Sequence, residues 1–192
     1  MSDKPIKLII GLGNPGEKYA KTRHNAGFWF IDALANQYSA TFKADSKFSG
    51  EVAKANIEGQ SVWLLKPSTF MNRSGLAAHQ ISSFYKIPVE QILVAYDELD
   101  LPVGSVRLKK SGGHGGHNGL RDLHAQISKD YLRLRFGIGH PGDSKKVADY
   151  VLSRAGQNDE IEIVNAIDRV LAVMDKIIVG DNQKAMNILH TE

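Results

Sequence analysis

The chain has 192 residues, of which 42% are hydrophobic, and it has no cysteine. This length and composition suit one globular domain with a substantial core, and the lack of cysteine excludes disulfides, thiolate nucleophiles and cysteine-bound metals. The formal net charge of +3 is compatible with a nucleic-acid partner, although many enzymes without one share so modest an excess. No apolar run approaches the length of a membrane span, and the first residues lack the apolar segment of a signal peptide. We therefore expect a cytoplasmic protein with no membrane contact.

Strands and helices are mixed in the first half of the chain. In order, the hydrophobic patterns predict a strand at Lys7–Gly11, a helix at Gly27–Tyr38, strands at Phe48–Ile57 and Ser61–Lys66, and a helix at Arg73–Tyr85. The turn residues Glu58-Gly59-Gln60 would join the second and third strands in a hairpin.

The second half of the chain becomes mainly helical. In order, the patterns predict strands at Gln91–Ala95 and Ser105–Lys109, a helix at Asn118–Ile127, a strand at Leu132–Gly137, and helices at Ser144–Leu152, Asp159–Val179 and Gln183–Leu189. Strands mixed with helices, together with a hairpin, predict an α/β fold. We expect a single domain over residues 1–192, with a twisted mixed β-sheet sandwiched between α-helices.

Four polar segments follow predicted strands. They are Gly11–Gly16 together with Arg23–Asn25, Pro67–Gly75, Tyr96–Asp100, and Ser111–Gly119. In open α/β sheets, ligands bind in the crevice outside the carboxyl ends of the strands. The shared position of these segments predicts one site rather than four unrelated loops.

The first polar segment, Gly11–Gly16, matches the dinucleotide-binding pattern G-x-G-x-x-G. That fingerprint requires a helix that opens inside the motif, whereas Pro15 and Gly16 interrupt the chain and the helical pattern starts only near Gly27. Asp32, the acidic residue at a suitable distance, falls inside the helix. A tight turn is therefore favoured over a nucleotide site.

The segment Ser111–Gly119 contains five glycines, two histidines and an asparagine. Such a pliable polar loop is suited to hold an anionic or amide-bearing ligand. His114 and His117 have the H-x-x-H spacing of a zinc site, which Asp97 or Asp100 would have to complete. The flanking glycines argue against rigid presentation of metal ligands.

His24 is a candidate general base, because an imidazole titrates near neutral pH. The alternative is a helix-capping or surface histidine. A catalytic histidine needs an orienting partner, and Asp97, at the end of a predicted strand, is the best-placed carboxylate, although a solvated turn would also explain it. No G-x-S-x-G motif and no cysteine are present, so no covalent nucleophile is indicated. Direct attack by water, guided by the amides of Asn14, Asn72 and Asn118, is the remaining chemistry.

Cations alternate along two predicted strands. Arg107 and Lys109 would share a face of one strand, and Arg133 and Arg135 would share a face of another. Paired cations of this kind predict contacts to phosphate groups.

Five segments, in this order and spacing, resemble bacterial-type peptidyl-tRNA hydrolases. They are GLGNPGEKYAKTRHNAGF, KPSTFMNRSG, DELDLPVG, GGHGGHNGL and RLRFGIGHPGD. The resemblance extends from Lys7 to about Asp143 and continues more loosely to the C-terminus. It implies a monomeric α/β esterase that cleaves the ester between a peptide and the 3′ end of tRNA. It also implies that peptidyl-tRNA dropped by ribosomes is the partner, and that no metal, cofactor or obligate protein partner is needed.

The resemblance implies roles for residues at matching motif positions. His24 would be the catalytic base, Asp97 the carboxylate that orients it, and Asn14 the group that distinguishes a blocked peptide nitrogen from a free amino group. Further implied contacts to the tRNA end or the peptide are Tyr19, Phe70, Met71, Asn72, His117 and Asn118. Lys109 and Arg135 would contact the 5′-phosphate of tRNA.

One departure from the family pattern is Tyr96, which stands where members often carry histidine; we expect only local packing to change. A non-catalytic RNA-binding module is the alternative from another class, since a factor in organelle RNA splicing shares this fold. The presence of His24, Asp97 and the three asparagines argues against it.

Overall fold

Seven strands form one mixed sheet in the computed structural model, which describes residues 3–190. The strands are β1 (Leu8–Gly11), β2 (Lys43–Asp45), β3 (Gly50–Ile57), β4 (Gln60–Pro67), β5 (Ile92–Glu98), β6 (Val106–Lys110) and β7 (Leu132–Gly137). They lie side by side in the order β2-β3-β4-β1-β5-β7-β6. Strands β4, β1, β5 and β7 run parallel, whereas the β2–β3, β3–β4 and β6–β7 pairs are antiparallel. The predicted mixed sheet is confirmed.

Strand β2 has no counterpart in the sequence prediction. It is a three-residue edge strand in which Lys43 and Ala44 are exposed. Because it buries no apolar face, its sequence carries no alternation that could identify it.

Seven helices lie within the described part of the chain. They are α1 (Ala26–Gln37), α2 (Ser74–Phe84), α3 (Asn118–Ile127), α4 (Val147–Val151), α5 (Gln157–Leu171), α6 (Met174–Ile178) and α7 (Asn182–Leu189). We find none of them long and apolar enough to cross a membrane.

The single helix predicted over Asp159–Val179 is wrong, because α5 ends at Leu171 and α6 begins at Met174. Val170, Val173, Met174 and Ile177 on both sides of the break are all buried in one core. The apolar spacing therefore continues across a break that no glycine or proline marks. The predicted helix Ser144–Leu152 likewise contains only the short α4, preceded by a 3-10 turn.

Alternate residues of the central strands enter two separate cores, one on each face of the sheet. Ile9 packs in a cluster that includes Phe30 of α1 and Ile167 of α5. Its neighbours Leu8 and Ile10 point to the other face, where the cluster includes residues of α2 and α3. The predicted arrangement of a sheet between helices is confirmed.

The start of α1 lies unusually close to the sheet. A methyl group on Gly27 would lie 2.4 Å from the carbonyl oxygen of Ala95, and one on Gly11 would lie 2.5 Å from the carbonyl oxygen of Gly27. Only glycine permits this approach. It brings the Arg23–Asn25 turn, which immediately precedes α1, next to the carboxyl ends of β1 and β5.

We expect Ile9→Ala to lower the free energy of unfolding by about 2–5 kcal/mol, because it opens a cavity in a fully buried position. Urea denaturation measures the change. Ile161→Ala is the matched control: its side chain is 49% exposed, and we expect a loss of about 0.5 kcal/mol or less. Equal losses for the two variants would contradict the assignment of Ile9 to the core.

Candidate active site

A chain of three side chains lies where β5 ends. Nδ1 of His24 lies 2.7 Å from Oδ2 of Asp97, and Nε2 of His117 lies 2.9 Å from Oδ1 of the same carboxylate. Asp97 is only 2% exposed and His24 is also buried. One buried carboxylate thus receives a hydrogen bond from an imidazole on each side.

The hydrogen bonds of His117 determine its tautomer. Its Nδ1 accepts bonds from the backbone N–H groups of Gly119 and Leu120, at 3.1 and 3.4 Å, and so caps the N-terminus of α3. The proton of a neutral His117 is therefore on Nε2, which donates to Asp97. His24 uses its Nδ1–H for the same carboxylate, which leaves the lone pair of its Nε2 available.

Burial and neighbouring charges have opposite effects on the pKa values of Asp97 and His24. Burial alone would raise the pKa of Asp97, but the neighbouring His24 and His117 outweigh it and hold the pKa of that carboxyl well below its usual range. Burial works to lower the pKa of His24, and the charge and hydrogen bond of Asp97 overcome it, so the pKa of His24 is raised. Asp97 therefore stays ionised, and its charge favours a proton on His24.

The structure does not bring His114 and His117 together as joint metal ligands. The ring of His114 lies 5.8 Å from that of His124, and its Nδ1 accepts a bond from Gly116. His24, Asp97 and His117 do offer donor atoms within 4.8 Å of one another. Both ring nitrogens of His117 already have hydrogen-bond partners, so the geometry is that of a hydrogen-bonded chain rather than of a metal-ligand set.

The side chain of Asn14 is held in one orientation beside this chain. Its Oδ1 accepts a 2.6 Å bond from the backbone N–H of Met71, which leaves the two N–H groups of its Nδ2 free to donate. Asn25 fixes the backbone of Asn14 from both sides, accepting from its N–H at 2.8 Å and donating to its carbonyl at 2.9 Å.

A crevice of about 270 Å³ opens beside His24. We call it the asparagine crevice, and its lining residues are Asn14, Tyr19, His24, Phe70, Met71, Asn72, Asn118, Ala148, Val151 and Leu152. The sequence assigned nine residues to base chemistry, to substrate discrimination or to contacts with the tRNA end and the peptide. Seven of them line this crevice, and Asp97 and His117 do not. Those two line a second crevice of about 420 Å³, which also includes His24 and Asn118.

The exposed members of the asparagine crevice differ in what they can contact. Phe70 is 59% exposed and its ring lies edge-on to that of Tyr19, with centroids 6.0 Å apart. Asn72 is also exposed. Oδ1 of Asn118 accepts a bond from Arg121 at 3.2 Å, so its amide N–H groups are the free ones. The crevice therefore offers stacking surfaces and amide donors.

Four of the five cations of β6 and β7 lie on one sheet face, because Arg107 pairs with Arg135 and Lys109 pairs with Arg133. Lys109 is exposed, and Arg135 donates to Oε1 of Glu98 at 3.0 and 2.9 Å.

The prediction that Arg133 faces a phosphate is wrong. Arg133 is 2% exposed, and its guanidinium donates to the carbonyl oxygens of Gly112 and Gly113 and lies 3.1 Å from Nε2 of His124. It holds the glycine-rich loop in place. Alternation places Arg133 on the same face as Lys109, but the packing of α3 and the loop buries it.

Two positioning residues were missed by the sequence analysis. Asn25 was noted only as a neighbour of His24, although it fixes Asn14. Arg23 donates to the carbonyl of Tyr150 and to the hydroxyl of Ser153, and its guanidinium lies 4.0 Å from the centre of the Tyr150 ring. Arg23 thereby ties the turn that carries His24 to α4, which lines both crevices. The neighbouring sequence indicates neither role, because the residues that Asn25 and Arg23 contact are distant in sequence.

Tyr96 packs against His117, the outer member of this hydrogen-bonded chain. Its ring lies edge-on to that of His117, with centroids 5.3 Å apart, and burial raises the pKa of its hydroxyl. It fits as an uncharged packing partner of His117.

Comparison with known proteins assigns the family. A sequence model described as peptidyl-tRNA hydrolase matches residues 8–192. The chain belongs to the peptidyl-tRNA hydrolase family. It is 50% identical over 188 residues to a peptidyl-tRNA hydrolase of Neisseria meningitidis serogroup A, and 51% identical over 187 residues to one of Coxiella burnetii. Each match covers 97% of this chain and 98% of the relative.

The fold agrees with this assignment. The crystal structure of peptidyl-tRNA hydrolase from Acinetobacter baumannii superposes with a TM-score of 0.95 at 50% identity, covering 97% of this chain and 95% of that one. The resemblance drawn from the five sequence segments is confirmed. The chain is a hydrolase of the peptidyl-tRNA hydrolase class, so the alternative of a non-catalytic RNA-binding module is not supported.

We expect Asp97→Asn to lower the pKa of His24, because the charge that raises it is removed while burial still disfavours the imidazolium. NMR titration of the His24 ring measures the change, and the wild-type midpoint should lie above the ordinary histidine value. The control is Asp100→Asn, which removes an exposed carboxylate nearby and should leave the titration unchanged. An unchanged midpoint in Asp97→Asn would mean that Asp97 does not govern the protonation of His24.

Proposed function

We propose that this hydrolase cleaves the ester between the peptide and the 3′ end of tRNA by direct attack of a water molecule that His24 activates. The products are a free tRNA and a free peptide, which recycles peptidyl-tRNA dropped from ribosomes. The observation that carries the proposal is the 2.7 Å bond between Nδ1 of His24 and buried Asp97, since a neutral His24 that donates from Nδ1 has the lone pair of Nε2 available as a base.

In this mechanism Nε2 of His24 takes a proton from water while the water oxygen bonds to the ester carbonyl carbon. The tetrahedral intermediate then collapses as the carbon–oxygen bond to the ribose breaks. The imidazolium returns its proton to the departing ribose oxygen. Asp97 remains ionised throughout and stabilises the imidazolium, as an orienting carboxylate does in hydrolytic triads. His117 fixes the carboxylate from its other side.

The amide donors supply the remaining stabilisation. Asn72 and Asn118 are positioned as donors to the developing oxyanion or to the peptide carbonyls. Asn14 would donate from Nδ2 to the carbonyl oxygen of the first amide of the peptide. An unblocked aminoacyl group has no such carbonyl, so the Nδ2 donor of Asn14 would face an amino group that is itself a donor and would be left without an acceptor. Such a mismatch discriminates sharply between blocked and unblocked substrates.

The tRNA end would contact the outer part of the site. Tyr19 and Phe70 provide ring faces and edges for unstacked bases, and Met71 lines the crevice beneath them. Lys109 and Arg135 are assigned to the 5′-phosphate, with Glu98 holding Arg135 in place. We further propose that the chain acts as a cytoplasmic monomer of one domain, and the scheme requires neither metal nor cofactor.

We expect His24→Asn to reduce kcat by about 10²–10⁴-fold on N-acetyl-aminoacyl-tRNA, because the base is lost while an N–H donor for Asp97 is retained. Release of the acetylated amino acid measures turnover, and the wild type should leave the unblocked aminoacyl-tRNA intact. The control is His79→Asn on α2, an exposed position away from both crevices. Full activity of His24→Asn, or equal hydrolysis of both substrates by the wild type, would refute the mechanism.

We expect Lys109→Ala to raise KM for intact N-acetyl-aminoacyl-tRNA, because one phosphate contact is lost. The slope of log affinity against log salt should fall by about one. A short 3′-end mimic without the 5′-phosphate should be hydrolysed as by the wild type. Lys54→Ala removes an exposed lysine on β3 and serves as the control. Equal effects of Lys109→Ala on the whole and short substrates would exclude the phosphate contact.

A further inference from the structure

A third cavity, of about 430 Å³, lies beside the asparagine crevice. None of its lining residues belongs to the proposed catalytic chain, which consists of His24, Asp97 and His117. It extends from Asn14, after β1, to Pro67 at the end of β4. Its apolar walls include Phe28 and Trp29 of α1. The indole N–H of Trp29 donates to the carbonyl of Ala20 at 2.8 Å, which fixes that ring. We call it the Trp29 cavity.

The Trp29 cavity is acidic. Its lining has three carboxylates, Glu17, Asp32 and Glu51, and one ammonium, Lys66. Nζ of Lys66 lies 2.9 Å from Asp32 and 3.9 Å from Glu51, and the side chain of Lys66 is only 15% exposed. The ammonium of Lys66 therefore mainly neutralises the charge of Asp32. Glu51 is farther from that ammonium, and Glu17 is exposed. The remaining field favours a cation.

Strand order and sheet face together separate opposite charges on either side of the site: Lys109 and Arg135 lie on the face covered by α3, with Lys109 opposite Arg133 near the amino end of β7, whereas the Trp29 cavity lies on the face covered by α1. The exposed cation Lys109 and the partly exposed Arg135 lie on β6 and β7, at one end of the sheet. Asp97 lies on β5, Asn14 follows β1, and the Trp29 cavity lies at the end of β4. The catalytic chain is therefore located between a basic side and an acidic side.

This order gives the substrate a direction. The phosphates of tRNA are attracted to the β6–β7 side and repelled by the acidic cavity, so the peptide must extend from His24 past Asn14 toward β4. Neighbouring strands are about 4.8 Å apart, so β4 is roughly 10 Å from β5. An extended peptide advances about 3.3 Å per residue, which places the third residue from the ester at the cavity.

Building on the proposed function, we infer that the Trp29 cavity is a subsite for the side chain of the third peptide residue from the ester, with a preference for lysine or arginine. The carboxylates of Glu17 and Glu51 pair with the cationic end of that side chain. Phe28 and Trp29 cover its methylene groups, as apolar surfaces do for long cationic side chains.

The test compares three tripeptidyl-tRNAs, N-acetyl-X-Ala-Ala-tRNA, in which X is Lys, Gln or Glu. We expect kcat/KM to decrease in the order Lys, Gln, Glu, with about a fivefold difference between Lys and Glu, the size expected for partly exposed ion pairs. N-acetyl-alanyl-tRNA, which does not reach the cavity, reports on the catalytic chain alone. Failure to hydrolyse this short substrate would count against the proposed function, and not against the subsite.

The double variant Glu17→Gln/Glu51→Gln keeps the Asp32–Lys66 pair and should hydrolyse the Lys and Glu substrates with equal kcat/KM. The matched control is Glu58→Gln/Glu90→Gln, which removes two exposed carboxylates outside the cavity and should keep the wild-type preference. Glu58 lies in the β3–β4 turn, at the opposite edge of the sheet from Pro67.

Three results would overturn the inference. The first is a wild type that hydrolyses all three tripeptide substrates equally while it still hydrolyses the short one. The second is a preference for Lys that persists in the Glu17→Gln/Glu51→Gln variant. The third is a change of KM for the short substrate in that variant that is as large as the change for the tripeptide substrates. Such a result would mean that the cavity carboxylates act on the tRNA.

Discussion

The site depends on one buried carboxylate. Asp97 is almost without contact with solvent, and a carboxylate in that position is stable only when hydrogen-bond donors replace its lost hydration. The donors are the imidazoles of His24 and His117, and each is positioned by a different element. The turn before α1 carries His24, while the first N–H groups of α3 bind the other nitrogen of His117. The geometry of the proposed site and its local stability therefore depend on the same hydrogen bonds.

The parallel strands determine where chemistry can occur. Because β4, β1, β5 and β7 all end at one edge, the polar segments that follow them share a single region. Close packing of α1 against β1 and β5 through Gly11 and Gly27 places His24 above that edge. The cations of β6 and β7 lie on the α3 side of the sheet, and the carboxylates beside β4 lie on its α1 side.

The local sequence pattern located most of the helices and strands, and each of its failures has a physical cause. Edge strand β2 buries nothing and so has no alternation. The break between α5 and α6 falls inside one continuous apolar stripe, because both helices pack into the same core. Alternation placed Arg133 and Arg135 correctly on one face of β7 but could not show that α3 and the glycine-rich loop bury Arg133. The support that Asn25 gives Asn14 is similarly invisible, since the two are eleven positions apart.

The sequence by itself determined the family, the mixed α/β fold and the candidate set of histidines, asparagines and cations, because five ordered motifs and the hydrophobic periods are properties of the linear chain. Only the tertiary structure decided which of those groups touch. It joined His24 and His117 to opposite oxygens of Asp97, turned the free amide of Asn14 toward the crevice, and assigned Arg133 to a loop. The physical reason is that hydrogen bonding and burial act between side chains distant in sequence, whose separation is set by sheet order and helix packing.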